Sequence, residues 1–537
     1  MSRFWISLSL AALLAVSALA VREAMRTPPV NVIVLTVESW RADAATPERM
    51  PHLFEAARRG VTFTNHRDIA AWTAPNVVAV LTGVSPFRQG IHARGQSIPA
   101  EYDLFPEHLA ARGWDVGGLQ AFMLIDVFAN LGFSFEPGAD LMSWISVRAR
   151  ARRPFMVWYH YLDSHLPYNP RRADEILEHF PTGSADERRR QGELRKLPAI
   201  PEGEVDFAAS DRPWVRALYE AGFEDFDDWF ARFWAFYEAS GLIDNTILVV
   251  TADHGEELLE RGNVGHASTT RAGHLHEELL QVPLFVWAPD GVLPVAAGTV
   301  IGDMTDHLMI VPALANMLGI GAGFDMDSTG LFATPRRSVW TGLTSRAGFS
   351  EPDPRDVRRF HGAMRDGDLK VQVSVSGQTP PVVEAWDLAA DPGERMPLAD
   401  LPPRADAMAA ALLDRLAEMR KPGNVPTEGV SAAAVPPPEW VHPAKGGPVG
   451  YRDIEGQTYL EWTGEAASSY VIEYEAGHGL LSLSGVIDNE GPRYDFGAVS
   501  EGYWATWVVP YGRVRFRVRP ADVAEAWSEW MELELRP

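Results

Sequence analysis

Four short apolar runs separated by helical patterns constrain the fold of this chain more than any other feature. They are Asn31–Val37 (NVIVLTV), Val116–Met123 (VGGLQAFM), Phe155–Tyr161 (FMVWYHY) and Thr246–Thr251 (TILVVT). A strand with one face in water alternates apolar and polar residues, whereas a strand that is apolar throughout has both faces covered, as in a sheet between helices. Such strands alternating with helices predict an α/β fold, a central mostly parallel sheet flanked by helices. Phe223, Phe226, Phe230, Phe233 and Tyr237 recur at helical spacing, so one helix should turn an aromatic face to that core. Pro170–Trp214 lacks clear periodicity and carries Arg188, Arg189 and Arg190 beside Asp186 and Glu187, the pattern of a charged surface insertion.

Composition breaks at Lys421–Trp440, where five prolines and small residues replace any periodic pattern and predict a stiff linker. Beyond it, Tyr459–Trp462, Tyr470–Tyr474 and Arg513–Arg519 alternate in polarity, with Val514, Phe516 and Val518 on one face and four arginines on the other. These are half-buried antiparallel strands. With Trp527-Ser528-Glu529-Trp530, this end resembles a fibronectin type III-like β-sandwich. The expected organisation is residues 1–20 as a signal peptide or N-terminal anchor, 28–420 as the main domain, 421–440 as linker and 441–537 as an all-β sandwich.

The chain has 537 residues, with 48 Lys+Arg against 72 Asp+Glu, for a formal net charge of −24. Such a surface repels polyanions, which argues against nucleic acid as a partner; an anionic substrate would have to be gripped locally. The absence of Cys excludes thiolate zinc sites, thiol nucleophiles and disulfides. Arg3 precedes an uncharged stretch from Phe4 to Val21, in which Ala18 and Ala20 are spaced like a signal-peptidase site. Export to the periplasm or the extracellular space is expected. The alternative reading of the same stretch is a retained anchor that would tie the protein to the membrane surface.

In open parallel sheets, functional groups collect beyond the carboxyl ends of the strands. Three of the four runs end in such groups: the first at Glu38, the third at Asp163 and His165, the fourth at Asp253 and His254. Carboxylates with an adjacent imidazole are the donors that Mg²⁺, Mn²⁺ or Zn²⁺ sites use. A further segment, Trp72–Gly83, reads as a helix with Pro75 in its first turn and Gly83 at its end. Thr73 at its start has two readings, a capping hydroxyl or a group facing an anion at the helix N-terminus.

Met50–Gly90 (MPHLFEAARRGVTFTNHRDIAAWTAPNVVAVLTGVSPFRQG) resembles the sulfatase-like branch of the alkaline phosphatase superfamily, in which a nucleophile two residues before a Pro opens a helix ending in Leu-Thr-Gly. NVIVLTVESWRAD looks like the family's first metal-ligand strand, HYLDSHLPY like its substrate-side histidine strand and TADHGEE like its Asp-His metal pair. EELLQVPLFVWAPDG and AWDLAADPGERMPLAD look like later landmarks, so the resemblance runs from about Val30 to Leu401. It implies one divalent metal ion (Mn, Mg, Ca or Zn) held by Glu38, Thr73, Asp253 and His254, with Thr73 also the nucleophile. It implies His165 and His274 on the substrate side, although His266 and His276 flank the same turn and spacing does not choose among the three. A second metal on Asp163, His165 and His274 is a weaker implication.

The departures from that pattern matter as much. Sulfatases of this family carry a Cys or Ser that becomes formylglycine, followed by Pro-Ser-Arg; here the position is Thr73, with Asn76 and Val77 in place of the Ser and Arg. Formylglycine cannot form from Thr. The Lys and His that follow the next strand are replaced by Leu119-Gln120-Ala121-Phe122-Met123. The Glu, Thr, Asp, His set instead resembles the lipoteichoic acid synthases and phosphoethanolamine transferases of the superfamily. The expectation is an exported, metal-dependent phosphoester hydrolase or phosphotransferase acting on an anionic ester. Its rivals are a sulfatase without formylglycine and a non-catalytic ligand-binding relative.

Overall fold

The computed structural model describes residues 30–536 except 92–97, 100, 120–129, 137–138, 152, 201–204, 271–273, 322, 334–338, 346–358, 377–379, 419–436, 444, 455–458, 465–468, 479–480, 496–503, 505–507 and 521–525. The expected signal or anchor segment and most of the expected linker lie outside the described residues. No helix among the described residues is long and apolar enough to cross a membrane.

A nine-stranded mixed sheet forms the centre. Its strands are β1 (Asn31–Val37), β2 (Val61–Arg67), β3 (Asp115–Leu119), β4 (Ser134–Glu136), β5 (Phe155–Tyr161), β6 (Thr246–Ala252), β9 (Gln281–Trp287), β10 (Val300–Ile301) and β11 (Thr305–Asp306). Between β6 and β9, the short strands β7 (Glu257–Leu258) and β8 (Val264–Gly265) pair as a separate hairpin. β1 runs parallel to β5 and β6, while β9 is antiparallel to β2 and β6. The expected strands at 31–37 and 155–161 have these bounds in the structure. The second expected strand begins one residue earlier and ends at Leu119, with 120–123 outside the described residues.

Both faces of β1 are covered, as its unbroken hydrophobicity requires. Val32 and Val34 enter one buried cluster with Trp72, Val77 and Leu81; Ile33, Leu35 and Val37 enter another with Trp40, Phe223 and Phe230. Trp72 immediately precedes helix α1 (Thr73–Thr82), on one face of the sheet, and the phenylalanines belong to α2 (Arg212–Ala239), on the other. All five aromatics predicted on the α2 face are buried. The charged insertion before it contains two short helices, and Arg190 is held there against buried Asp211 at 2.6 Å.

An unanticipated four-stranded antiparallel sheet follows within 28–420: β12 (Val339–Ser345), β13 (Arg359–Asp366), β14 (Leu369–Ser376) and β15 (Val382–Asp387). Helix α3 (Pro403–Glu418) backs it, with Met408 and Leu412 in the same cluster as Val371 and Val373. The C-terminal strands form two sheets. One is β16 (Trp440–His442), β18 (Tyr459–Trp462) and β21 (Arg493–Asp495); the other orders β17 (Gly447–Val449), β23 (Met531–Leu535), β22 (Arg513–Pro520), β19 (Ser469–His478) and β20 (Leu481–Glu490). Val514, Phe516 and Val518 are buried, as alternation requires. The arginine face is not simply solvated: Arg515 and Arg517 stand over Trp530 at 4.4 and 4.7 Å, and Arg517 and Arg519 over Trp527 at 4.4 and 5.1 Å.

Candidate active site

Strand register assembles the site. Val37 is the partner of both Tyr161 and Ala252, so the chain leaves β1, β5 and β6 at one level and delivers Glu38, the Leu162–His165 turn and Asp253-His254 side by side. Ser39 adopts φ 55°, an uncommon conformation for a residue with a side chain. Its N–H then donates to Asp253 Oδ1 at 2.9 Å, and its hydroxyl donates to Glu38 Oε1 at 3.0 Å.

Thr73 does not cap its helix. It is the first helical residue, and Trp72, extended at φ −166° and ψ 164°, holds the cap position without a side-chain cap. Asn76 organises the approach instead: its Oδ1 accepts from the Ile69 N–H, and its amide donates to the Ala70 and Trp72 carbonyls. With capping excluded, the Thr73 hydroxyl points at His254, Oγ to Nε2 3.3 Å. Gly83 closes the helix in the left-handed conformation at φ 76°, as its position predicts.

Donors of Glu38, Asp253 and His254 lie within 4.8 Å of one another, all buried. His254 Nε2 is 3.3 Å from Glu38 Oε1 and 3.2 Å from Asp253 Oδ2. Those spacings, with that to Thr73, match the edge of about 3.3 Å expected for a tetrahedron around an ion about 2.0 Å from each ligand. Among the described residues, buried Asp253 Oδ2 has no hydrogen-bond donor. The titration behaviour has the same origin. Burial opposes a charged imidazole at His254, yet Asp253 and Glu38 push it up to about 10; burial and Glu38 push Asp253 up to about 6. Burial works against the Glu38 charge too, but hydrogen bonds from His160 and His254 hold its carboxyl well below the usual range. Excess negative charge in a closed site makes a divalent cation fit this donor set.

Sequence reasoning passed over His160. Its Nε2 is 2.8 Å from Glu38 Oε2, and its Nδ1 is 2.7 Å from the Thr36 hydroxyl, which also accepts from Trp158 Nε1 at 2.8 Å. The available signal was a His inside an otherwise apolar, doubly covered strand, where a polar group needs a partner.

His165 is buried beside Glu38, with its Nδ1 against the Leu166 carbonyl, and burial lowers it to about 4. Its neighbour is His266, at a ring separation of 5.3 Å. His274 is not brought to this group: its Nε2 bonds Glu257 Oε2 at 3.0 Å, beside His276, which faces Glu394. The reason is the β7–β8 hairpin, which returns His266 toward Glu38 before the chain reaches His274. Asp163 is exposed, so the suggested second set of Asp163, His165 and His274 does not assemble. Among the described residues the second close grouping is Glu38, His165 and His266.

The family profile described as Sulfatase matches residues 139–320, about a third of the chain. The chain is similar to the phosphonate monoester hydrolase of Agrobacterium radiobacter, with 18% identity, TM-score 0.57 and coverage of 75% of this chain and 98% of that one. The phosphonate monoester hydrolase from Silicibacter pomeroyi follows at 16% identity, TM-score 0.55, and 73% and 96% coverage. BT4656, determined in complex with its substrate D-glucosamine-2-N,6-O-disulfate, gives 16% identity, TM-score 0.53, and 73% and 97% coverage. Comparison with curated protein sequences gave no match. The fold class is therefore that of the sulfatases and phosphonate monoester hydrolases, the sulfatase and alkaline-phosphatase fold, with separate β-sheets appended at the C-terminus.

Proposed function

We propose that this chain is an exported, metal-dependent hydrolase or transferase that acts on phosphoesters with Thr73 as nucleophile. The observation that carries the reading is the convergence of the Thr73 hydroxyl with Glu38, Asp253 and His254 at the mouth of the sheet. These four residues would hold one divalent cation, Mn²⁺, Mg²⁺, Ca²⁺ or Zn²⁺. Such an ion would make the Thr73 hydroxyl easier to ionise and offset charge on the non-bridging oxygens of the ester.

In the first half-reaction Thr73 Oγ, having lost its proton to solvent, bonds to phosphorus while the bond to the ester oxygen breaks. The leaving oxygen takes a proton from the imidazole of His266, beside which His165, kept neutral by burial, stands. In the second half-reaction, water or an acceptor hydroxyl displaces Thr73 from phosphorus and returns its proton to the imidazole. His160 keeps Glu38 oriented throughout. Export rests on the Arg3–Ala20 pattern. Residues 441–537 form, in this reading, a fibronectin type III-like module that meets the cell envelope rather than the substrate.

A second reading, cleavage of sulfate esters, is favoured by the Sulfatase profile and by the disulfate-bound neighbour. It would proceed on the same Thr73, without formylglycine. Hydrolysis of chromogenic phosphate monoester, phosphate diester and sulfate by metal-loaded protein separates the two, with Thr73→Ala alongside. Phosphoester turnover lost in the variant supports the first reading; sulfate turnover alone supports the second.

A further inference from the structure

A cavity of about 270 Å³ is walled by the chain leaving β1, the first two turns of α2, the approach to β9 and the 392–395 loop. Every carboxylate in its wall already has a cation. Asp43 accepts from Arg41 Nε at 2.9 Å and from Arg216 Nη2 at 3.1 Å, and Glu260 accepts from Arg41 Nη1 at 2.8 Å and Arg212 Nη2 at 2.7 Å. Glu277 is shared by Arg67, Arg365 and Lys370, and Glu278 is ion-paired with Arg261 at 2.9 Å.

The uncommitted groups are guanidinium N–H donors. Arg212 Nε is buried with no hydrogen-bond partner among the described residues. Arg395 bonds through its backbone N–H, to Asp391 Oδ2 at 2.7 Å, and its guanidinium has no partner among the described residues. The loop that carries Arg395 is fixed: Glu394, at φ 51°, sets its buried carboxylate 2.7 Å from Lys370 Nζ, and Arg261 donates to the Glu394 and Gly393 carbonyls at 3.2 and 3.1 Å. Arg212 and Arg216 stand at the N-terminal end of α2, where the helix dipole adds positive potential.

We infer that this cavity is a binding site for a tetrahedral oxyanion, phosphate or sulfate, held by Arg212 and Arg395. Donors that reach it from two separate elements suit an anion with oxygens on several sides better than a planar carboxylate, which one guanidinium fork can satisfy. In a chain of net charge −24 it is a local grip of the kind an anionic ligand needs. The oxyanion can be a free inorganic ion or a group carried on an ester, and the chemistry of capture is the same.

The test is calorimetric titration of the metal-loaded full chain with inorganic sulfate, inorganic phosphate, acetate and glucose 6-sulfate. Arg395→Gln and Arg212→Gln should each weaken one sulfate-binding event roughly 10-fold, and Arg58→Gln, outside the cavity, should leave it unchanged. Acetate should bind that site at least about 10-fold more weakly than sulfate. If the arginine-dependent event favours glucose 6-sulfate over sulfate, the site takes an ester-borne group; the reverse order assigns it to the free ion. Sulfate binding equal in the parent, Arg395→Gln and Arg212→Gln, an equal loss in Arg58→Gln, or acetate matching sulfate would overturn the inference. If Arg212→Gln does not fold, Arg395→Gln decides, because its guanidinium supports no other side chain among the described residues. The readout is binding rather than turnover, so the result stands apart from the choice between phosphate and sulfate esters at Thr73.

Discussion

The Thr73 hydroxyl lies 3.3 Å from His254 Nε2, although 181 residues separate the two in sequence. Because the Thr73 side chain makes no helix cap, its removal should leave the fold intact. Thr73→Ala is expected to unfold within about 1 kcal/mol of the parent while losing on the order of 10⁴-fold in kcat, as removal of a nucleophile does. Thermal unfolding and steady-state kinetics on the same preparations check both halves.

Asn76 should matter for a different reason. Its side chain is fully buried and satisfies three backbone groups at Ile69, Ala70 and Trp72. Asn76→Ala strands those groups away from water, and a cost of about 3 kcal/mol is expected. Because the same contacts set the entry into α1, kcat should also fall; denaturant titration and kinetics measure the two effects.

Chelation should destabilise the protein. Without a cation, Glu38 and Asp253 form a buried carboxylate pair around His254. Adding Mn²⁺ or Zn²⁺ at about 100 times its Kd should raise stability by about 2.7 kcal/mol. Thermal unfolding with and without a chelator reads this directly, and an unchanged transition contradicts the metal assignment.

Acid stability should depend on a second buried cluster. Lys370 Nζ is 2.7 Å from Glu394 and 3.0 Å from Glu277, which also receives Arg67 and Arg365. Burial opposes the charge on Glu394, but Lys370 and His276 hold its carboxyl down to about 2. A folded-state value below the unfolded one of about 4.3 stabilises the native state above that pH, and the contribution is lost as pH falls toward 2. It amounts to about 3 kcal/mol. Glu394→Gln should flatten this part of the stability profile, which denaturant titration from pH 6 to pH 3 measures.

How legible the molecule was in its sequence depended on how local each signal was. Strands β1 and β5 were readable because strands covered on both sides are apolar at most positions. Strand Leu369–Ser376 of the β12–β15 sheet alternates apolar and polar residues just as Arg513–Arg519 does, a legible mark of a half-buried strand that went unread beside the unbroken apolar runs. Glu38, Asp253 and His254 were readable from their places at strand ends. The choice among His266, His274 and His276 was not, because it depends on the β7–β8 hairpin, whose two-residue strands carry no periodicity. Thr73 looked equally like a cap until Trp72 was seen in the cap position. His160 could be flagged as a polar group in a buried strand, but its partner Glu38 lies 122 residues away and no spacing rule names it.

The most direct test of the central claim is mass spectrometry of the metal-loaded protein quenched during turnover of a chromogenic phosphoester. A phosphoryl group on Thr73, with both the adduct and the turnover absent from Thr73→Ala, is the predicted result. Phosphoester turnover that persists in Thr73→Ala would contradict it.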